Sequence, residues 1–307
     1  MKIIYLGTPD FAVKPLEAIL EKGYDVVAVI SQPDKPVGRK REIKPTPVKE
    51  FALSKGLKVL QFDKIREHVE EIKALDAGIM VTCAYGQILS QQIIDITKYG
   101  IYNIHASLLP LYRGASPISA AILNGDKTTG VTIMKTEIGI DSGDIVNVSE
   151  TPIGEDETCG QLFDRLSLIG AKLICETLEL IESGKATLKK QEHERATFCK
   201  MIKKEDAKID WNEDAEVVLR MIRAYNPSPV AYTFFKGKML KIFSAEYSSL
   251  TGRAGQVVSA DKKGGLVIAC KSGAIFIKEL QMEGAKRMSY SDFVQGRKLV
   301  VGDVADL

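Results

Sequence analysis

A chain of 307 residues with 45% hydrophobic and 27% charged side chains has the makeup of one large globular domain or two ordinary ones. Those proportions exclude collagen-like, disulfide-scaffold and fully disordered classes. The net charge of +2 conceals an asymmetry: residues 1–184 carry 20 basic and 25 acidic side chains, residues 185–207 carry 7 and 4, and residues 208–307 carry 15 and 11. An acidic front half on a basic rear half suggests a catalytic domain tethered to one that handles a polyanion, although random charge scatter gives the same count.

The N-terminus reads as a β-strand rather than a signal peptide, and no apolar run reaches the ~18 residues needed to span a bilayer. A cytoplasmic protein with no membrane partner is expected. Along the front half, short β-branched runs alternate with amphipathic stretches. Strands are expected at Ile3–Leu6, Val26–Ile30, Leu57–Leu60, Gly78–Thr82, Ile101–His105, Val131–Met134 and Ile145–Val148. Between them fall helices at Phe11–Glu21, Pro47–Ser54, Ile65–Ala74, Ile88–Ile96 and Ser116–Leu123. Strands apolar on both faces, separated by helices, predict an α/β fold with a doubly wound parallel sheet. A long amphipathic helix, Thr158–Ile181, closes this region. Thr158 and Gln161 stand at capping-box spacing, and Gly184 stops the helix.

Apolar periodicity then fades and lysine accumulates, as in an exposed linker. After it the pattern changes to one helix, Ala215–Ala224, and short strands at Tyr232–Phe235, Met239–Ala245, Gln256–Ala260, Leu266–Ala269 and Ala274–Leu280, spaced by glycine-containing turns. These predict a small β-barrel of OB-like type. The expected organisation is a catalytic domain over 1–189, a basic linker over 190–206 and an OB-like domain over 207–307.

Five scattered cysteines, an odd number with no C-x-x-C pair and no histidine at zinc-ligand spacing, read as reduced and structural, so no metal is expected. The first βα turn, Gly7-Thr8-Pro9-Asp10-Phe11, lacks G-x-G-x-x-G, and Asp10 would repel a phosphate. There is no P-loop. The ligand of such a sheet is therefore something other than a dinucleotide, at the carboxyl edge of the strands. There Asn103 and His105 stand two apart, so their side chains project to one face. An amide beside an imidazole reads as an oxyanion donor beside a base. The Gly139-Ile140-Asp141-Ser142-Gly143-Asp144-Ile145 turn offers carboxylates to orient the imidazole, and by spacing alone it is also ordinary turn chemistry.

Asn103-x-His105, followed by Ser107-Leu108-Leu109-Pro110 and by Asp141 in its glycine-rich turn, resembles the 10-formyltetrahydrofolate-dependent formyltransferases. Gln32-Pro33-Asp34-Lys35-Pro36, Gly38-Arg39, Ala84-Tyr85-Gly86-Gln87-Ile88-Leu89, Arg113-Gly114-Ala115, Asp210-Trp211 and Arg223-Ala224-Tyr225-Asn226-Pro227 extend the similarity along the whole chain, toward the branch that formylates methionyl-tRNA. The sequence departs from the expected pattern at Leu111, where arginine is common, at Ser90, where proline is common, and at Ser228, which interrupts an N-P-W-P run.

The resemblance implies formyl transfer from 10-formyltetrahydrofolate to the amine of methionyl initiator tRNA, with Asn103, His105 and Asp141 catalytic and no metal. It implies a folate site along Ala84, Tyr85, Gly86, Gln87, Ile88 and Leu89, with Ser107, Leu108, Leu109 and Pro110 as the other wall. The leucines are equally suited to ordinary core. The basic loop within Ser31–Thr46 is implied to enter the tRNA, with Arg39, Lys40 and Arg41 as contacts, and a solvated charge run is the competing account. A monomer is expected. The alternatives are a formyltransferase of this fold acting on glycinamide ribonucleotide or an amino sugar nucleotide, a 10-formyltetrahydrofolate hydrolase, or a non-catalytic RNA-binding protein.

Overall fold

The computed structural model describes residues 1–37, 42–296 and 298–306. The chain divides into two compact units, one of Met1–Pro117, Thr128–Pro152 and Phe163–Cys199, the other of Ile118–Lys127, Ile153–Leu162 and Lys200–Leu307.

The first unit is built on strands β1 (Lys2–Gly7), β2 (Asp25–Ser31), a ribbon of β3 (Lys35–Val37) and β4 (Glu42–Lys44), then β5 (Val59–Gln61), β6 (Ile79–Cys83), β7 (Ile101–His105), β8 (Arg113–Gly114), β9 (Thr128–Lys135), β10 (Ile145–Pro152) and β11 (Phe198–Cys199). Seven of these form the main sheet, in the order β10-β9-β7-β6-β1-β2-β5. Five strands run parallel, as expected, while β9 runs antiparallel to both β7 and β10. The sheet is thus mixed at one edge, an arrangement that strand patterning does not reveal.

Winding reverses at β1, whose neighbours are β2 on one side and β6 on the other, so the switch point lies beyond Gly7 and Cys83. Open α/β sheets place ligands at that crevice. The single glycine of the first turn has a packing role: a Cβ on Gly7 would stand 2.8 Å from Ala12 Cβ and 2.9 Å from Tyr5 Cε1.

Helix α1 (Val13–Glu21) and α2 (Pro47–Ser54) lie where expected, α2 capped by the Thr46 hydroxyl accepting the Lys49 N–H. Two predicted helices are shorter than expected. The Ile65–Ala74 stretch breaks at His68 into a 3-10 turn and α3 (Val69–Lys73), because His68 leaves helical geometry to stack its ring 4.2 Å from Phe62. The Ile88–Ile96 stretch shrinks to α4 (Gln91–Ile94), since Ser90 is extended, which leaves Ala84–Leu89 irregular. After α5 (Pro117–Asn124), the long α6 (Cys159–Glu182) starts with the predicted capping box: the Gln161 N–H donates to Thr158 Oγ1 and the Thr158 N–H to Gln161 Oε1. Further along, α6 passes so close to the sheet that a Cβ at Gly170 would meet Ile104 Cγ2 at 2.9 Å and force that side chain to shift.

In the second unit, α7 (Ala215–Ala224) precedes β12 (Tyr232–Phe235), β13 (Lys238–Ser248), β14 (Val257–Asp261), β15 (Gly265–Ala269), β16 (Ala274–Met282) and β17 (Met288–Ser289), then α8 (Tyr290–Gln295). The strands pair antiparallel in the order β12-β13-β16-β15-β14, with β17 beside β16. Irregular register at Ile242–Ala245 and Val257–Ser259 helps curl the sheet into a half-barrel. Helix α8 closes over β14–β16 and was not foreseen, being only six residues long.

Trp211 anchors this unit's core at 4% exposure, its indole N–H donating to Thr233 Oγ1 at 3.0 Å. Trp211→Ala should destabilise the second unit by about 3–5 kcal/mol, because it opens a large cavity and strands a buried hydroxyl. Urea unfolding checks this; a loss below about 1 kcal/mol would mean the indole is not central to that core.

Candidate functional site

Strand β7 brings Asn103 and His105 to its carboxyl end on one face, as the two-residue spacing predicts. Asp141, distant in sequence, joins them. Its Oδ1 accepts from Asn103 Nδ2 at 3.4 Å, its Oδ2 lies 3.6 Å from His105 Nδ1, and the same Oδ2 accepts the Gly114 N–H at 2.8 Å. The three predicted catalytic residues therefore converge within the first unit.

Two details define what each group can do. Asn103 must turn its nitrogen toward Asp141, because a carboxylate only accepts, so its oxygen faces Thr82, whose hydroxyl donates to it at 2.8 Å. Thr82 and Asn103 are register partners on adjacent parallel strands. His105, 5% exposed, has Nε2 2.9 Å from the Tyr112 carbonyl. A carbonyl cannot donate, so the proton of the neutral ring sits on Nε2 and the free lone pair on Nδ1 faces Asp141. At 3.6 Å that separation is long for a direct hydrogen bond, which leaves Nδ1 open to an incoming group beside the carboxylate.

Backbone strain gathers here. Asp141 at φ +46°, Ala84 at +46° and Tyr112 at +58° occupy the left-handed region that side chains disfavour.

Of the predicted folate segment, Ala84 and Gly86 are exposed, Ile88 is 93% exposed and Leu89 is half-buried. Tyr85 instead packs into the core, where burial raises its phenol to about 12, and its carbonyl accepts from Thr8 Oγ1 and Gln32 Nε2. The Gln87 side chain is structural, donating to the Phe62 carbonyl and accepting the Ile65 N–H. The backbone groups of residues 86–89 make no hydrogen bond among the described residues. Of the other predicted wall, Ser107 and Leu109 are buried, Ser107 donating to the Leu111 carbonyl, while Leu108 and Pro110 are half-buried. Thr132 pins this loop to β9 by donating to the Ser107 carbonyl and accepting the Leu109 N–H.

Arg39, Lys40 and Arg41 lie outside the described residues. The ribbon flanking them is tied at its base by half-buried Lys49, which donates to Asp34 Oδ2 at 2.6 Å and Gln61 Oε1 at 2.7 Å, holding the Asp34 carboxyl below its usual range. The cysteines are all free, and burial raises the Cys83 and Cys270 thiols to about 12. No group of three or more His, Cys, Asp or Glu suited to a metal occurs among the described residues, and no described helix is long and apolar enough to cross a membrane. Thr82, Gly114 and the Tyr112 carbonyl were not anticipated as site groups. Arg113-Gly114 lay in a noticed motif without a role, and Thr82 becomes visible only once strand register is known.

The family description Formyl transferase matches residues 1–178, and Formyl transferase, C-terminal domain, matches residues 201–298. The chain belongs to the formyl transferase family. Among its relatives, the methionyl-tRNA formyltransferase of Geotalea uraniireducens (strain Rf4) is 44% identical over 306 residues, covering 99% of this chain and 97% of the relative. Solved structures share the fold. The methionyl-tRNA formyltransferase from Clostridium thermocellum has a TM-score of 0.55 at 19% identity, covering 80% of this chain and 93% of that one. WlaRD, a sugar 3N-formyl transferase solved in the presence of dTDP and 5-N-formyl-THF, has a TM-score of 0.68 at 21% identity, covering 93% and 99%.

Thr82→Val removes the hydroxyl that orients the Asn103 amide while conserving volume. It should lower the kcat of formyl transfer about tenfold, less than outright loss of an oxyanion donor. Steady-state kinetics check this, and an unchanged kcat would mean the amide is oriented without Thr82.

Proposed function

We propose that this chain transfers the formyl group of 10-formyltetrahydrofolate to the free amine of methionyl initiator tRNA, acting as a cytoplasmic monomer in translation initiation. The observation that carries the choice of acceptor is the 44% identity to a methionyl-tRNA formyltransferase over both matched regions, including the rear domain. The chemistry draws its support from the convergence of Asn103, His105 and Asp141.

In this scheme the amine attacks the formyl carbon and gives its proton to His105 Nδ1. Asp141 Oδ2 stabilises the resulting imidazolium. The carbonyl oxygen becomes an oxyanion that accepts a hydrogen bond from Asn103 Nδ2, a contact typically worth ~3 kcal/mol in a dry site. As the tetrahedral intermediate collapses, the C–N10 bond breaks and the imidazolium returns a proton to the departing folate nitrogen.

The folate is taken to lie along Ala84–Leu89. The unengaged backbone of residues 86–89 suits a pterin edge, and exposed Ile88 and half-buried Leu89 suit its ring face. Tyr85 and Gln87 serve that segment by anchoring it from behind. Ser107 and Leu109 support the opposite wall, to which half-buried Leu108 and Pro110 also belong. Residues 1–189 form the catalytic domain, 190–206 the basic linker and 207–307 the tRNA-binding domain, whose 15 basic against 11 acidic side chains favour phosphate contact. Arg39, Lys40 and Arg41 are assigned to the tRNA end that presents the amine.

The deciding experiment offers labelled formyl-folate with methionyl-tRNA, free methionine and an amino sugar nucleotide in parallel. Label is expected in the tRNA, and label in the sugar instead would overturn the assignment. His105→Ala should lower kcat about 10²–10⁴-fold while folate binding by titration survives; near-normal turnover would remove His105 from the mechanism. Arg41→Ala should reduce kcat/KM for methionyl-tRNA and leave slow hydrolysis of formyl-folate unchanged. Equal losses in both assays would rule out a tRNA contact.

A further inference from the structure

Asp141 is held by more than its side chain. Its turn is strained, with Asp141 at φ +46° and Gly139 at +128°. At Gly143 a Cβ would come 1.8 Å from the Lys135 carbonyl oxygen. Within the turn, the Ser142 hydroxyl donates to the Ile138 carbonyl at a long 3.5 Å. The stronger restraint comes from Gln191, fifty residues on and 5% exposed. Its Nε2 donates to the Asp141 carbonyl at 2.9 Å and to the Gly143 carbonyl at 2.7 Å. Its Oε1 accepts from Arg113 Nε at 3.1 Å and Nη2 at 2.6 Å. Both amide hydrogens and both oxygen lone pairs are engaged, so the amide has one allowed orientation.

Arg113 is itself 5% exposed, and among the described residues its guanidinium meets no carboxylate at ion-pair distance. Its remaining described partner is His193 Nδ1 at 3.0 Å, which accepts because a guanidinium only donates. A buried cation on Gln191 Oε1 polarises the amide and strengthens its two N–H donors. The next residue, Gly114, gives its N–H to Asp141 Oδ2. One dipeptide thus grips Asp141 from both ends, the backbone through Gln191 and the carboxylate directly. Segment 189–199 is fastened in turn by the Ile145–Lys189 bridge and by β11 pairing with β8.

We infer that Gln191, polarised by Arg113, is a positioning residue that sets the Asp141 carboxylate against His105 and Asn103. It lies between the two regions matched by the family, residues 1–178 and 201–298. The inference rests on the catalytic role proposed for Asp141.

Two variants and a double-mutant cycle test it. Gln191→Glu keeps the Arg113 partner but turns a lone pair toward two carbonyls, and Gln191→Leu removes both sets of bonds. Each should lower kcat about 10–100-fold with both KM values within about twofold, the signature of a displaced catalytic group rather than lost substrate contact. In an Asp141→Ala background neither should add a further loss, because the effect passes through Asp141. Normal kcat in Gln191→Glu, or losses that multiply in the double variant, would overturn the inference, and Gln191→Glu decides the matter if Gln191→Leu fails to fold. If Asp141→Ala alone leaves kcat intact, the catalytic reading of Asp141 fails first, and separately.

Discussion

Both oxygens of the Asp141 carboxylate are engaged within the protein itself. One accepts from Asn103 Nδ2; the other takes the Gly114 N–H and faces His105 Nδ1. This single group orders the rest of the site. By accepting from Asn103 it turns that amide's nitrogen inward, and its other oxygen stands beside His105 Nδ1. The Tyr112 carbonyl completes the logic by holding the ring proton on Nε2. Amide, imidazole and carboxylate are thus each oriented by neighbours within the fold, the arrangement that electrostatic preorganisation calls for in the proposed mechanism.

Such an arrangement costs stability, and the strain is local. Asp141, Tyr112 and Ala84 all adopt left-handed backbone conformations around one carboxyl edge of the sheet. Each is tolerated because packing and hydrogen bonds around it over-determine its position. Thr132 secures the Ser107–Pro110 loop, Thr8 and Gln32 secure Tyr85, and Gln191 secures the Asp141 turn. The anchoring groups are neutral, Thr132 and Gln191 buried and Thr8 and Gln32 half-buried. The charged pair Lys49 and Asp34 works instead at the base of the β3–β4 ribbon, nearer solvent.

The division of labour along the chain follows from composition and topology together. The parallel core strands create a crevice where winding reverses, and the loops leaving β1 and β6 meet there through the hydrogen bond of Thr8 to Tyr85. The second unit has its own core around Trp211 and its own antiparallel sheet.

Much was legible in the residue order. Alternation of apolar runs gave the strands and the change of grammar after residue 207, and the i, i+2 spacing put Asn103 and His105 on one face, because side-chain direction in a strand is a local property with period two. The capping box of α6 is equally local. What the order of residues could not convey is everything set by distant partners. The antiparallel course of β9, the break at His68 imposed by Phe62, the inward turn of Tyr85 and the register that sets Thr82 beside Asn103 each depend on which strand or ring lies alongside. The same holds for Gln191: in sequence it is one polar residue in a lysine-rich stretch, and only the fold brings its amide under the Asp141 turn. Local geometry is written in the chain, whereas hydrogen bonds between groups fifty residues apart exist only once packing has brought their elements together.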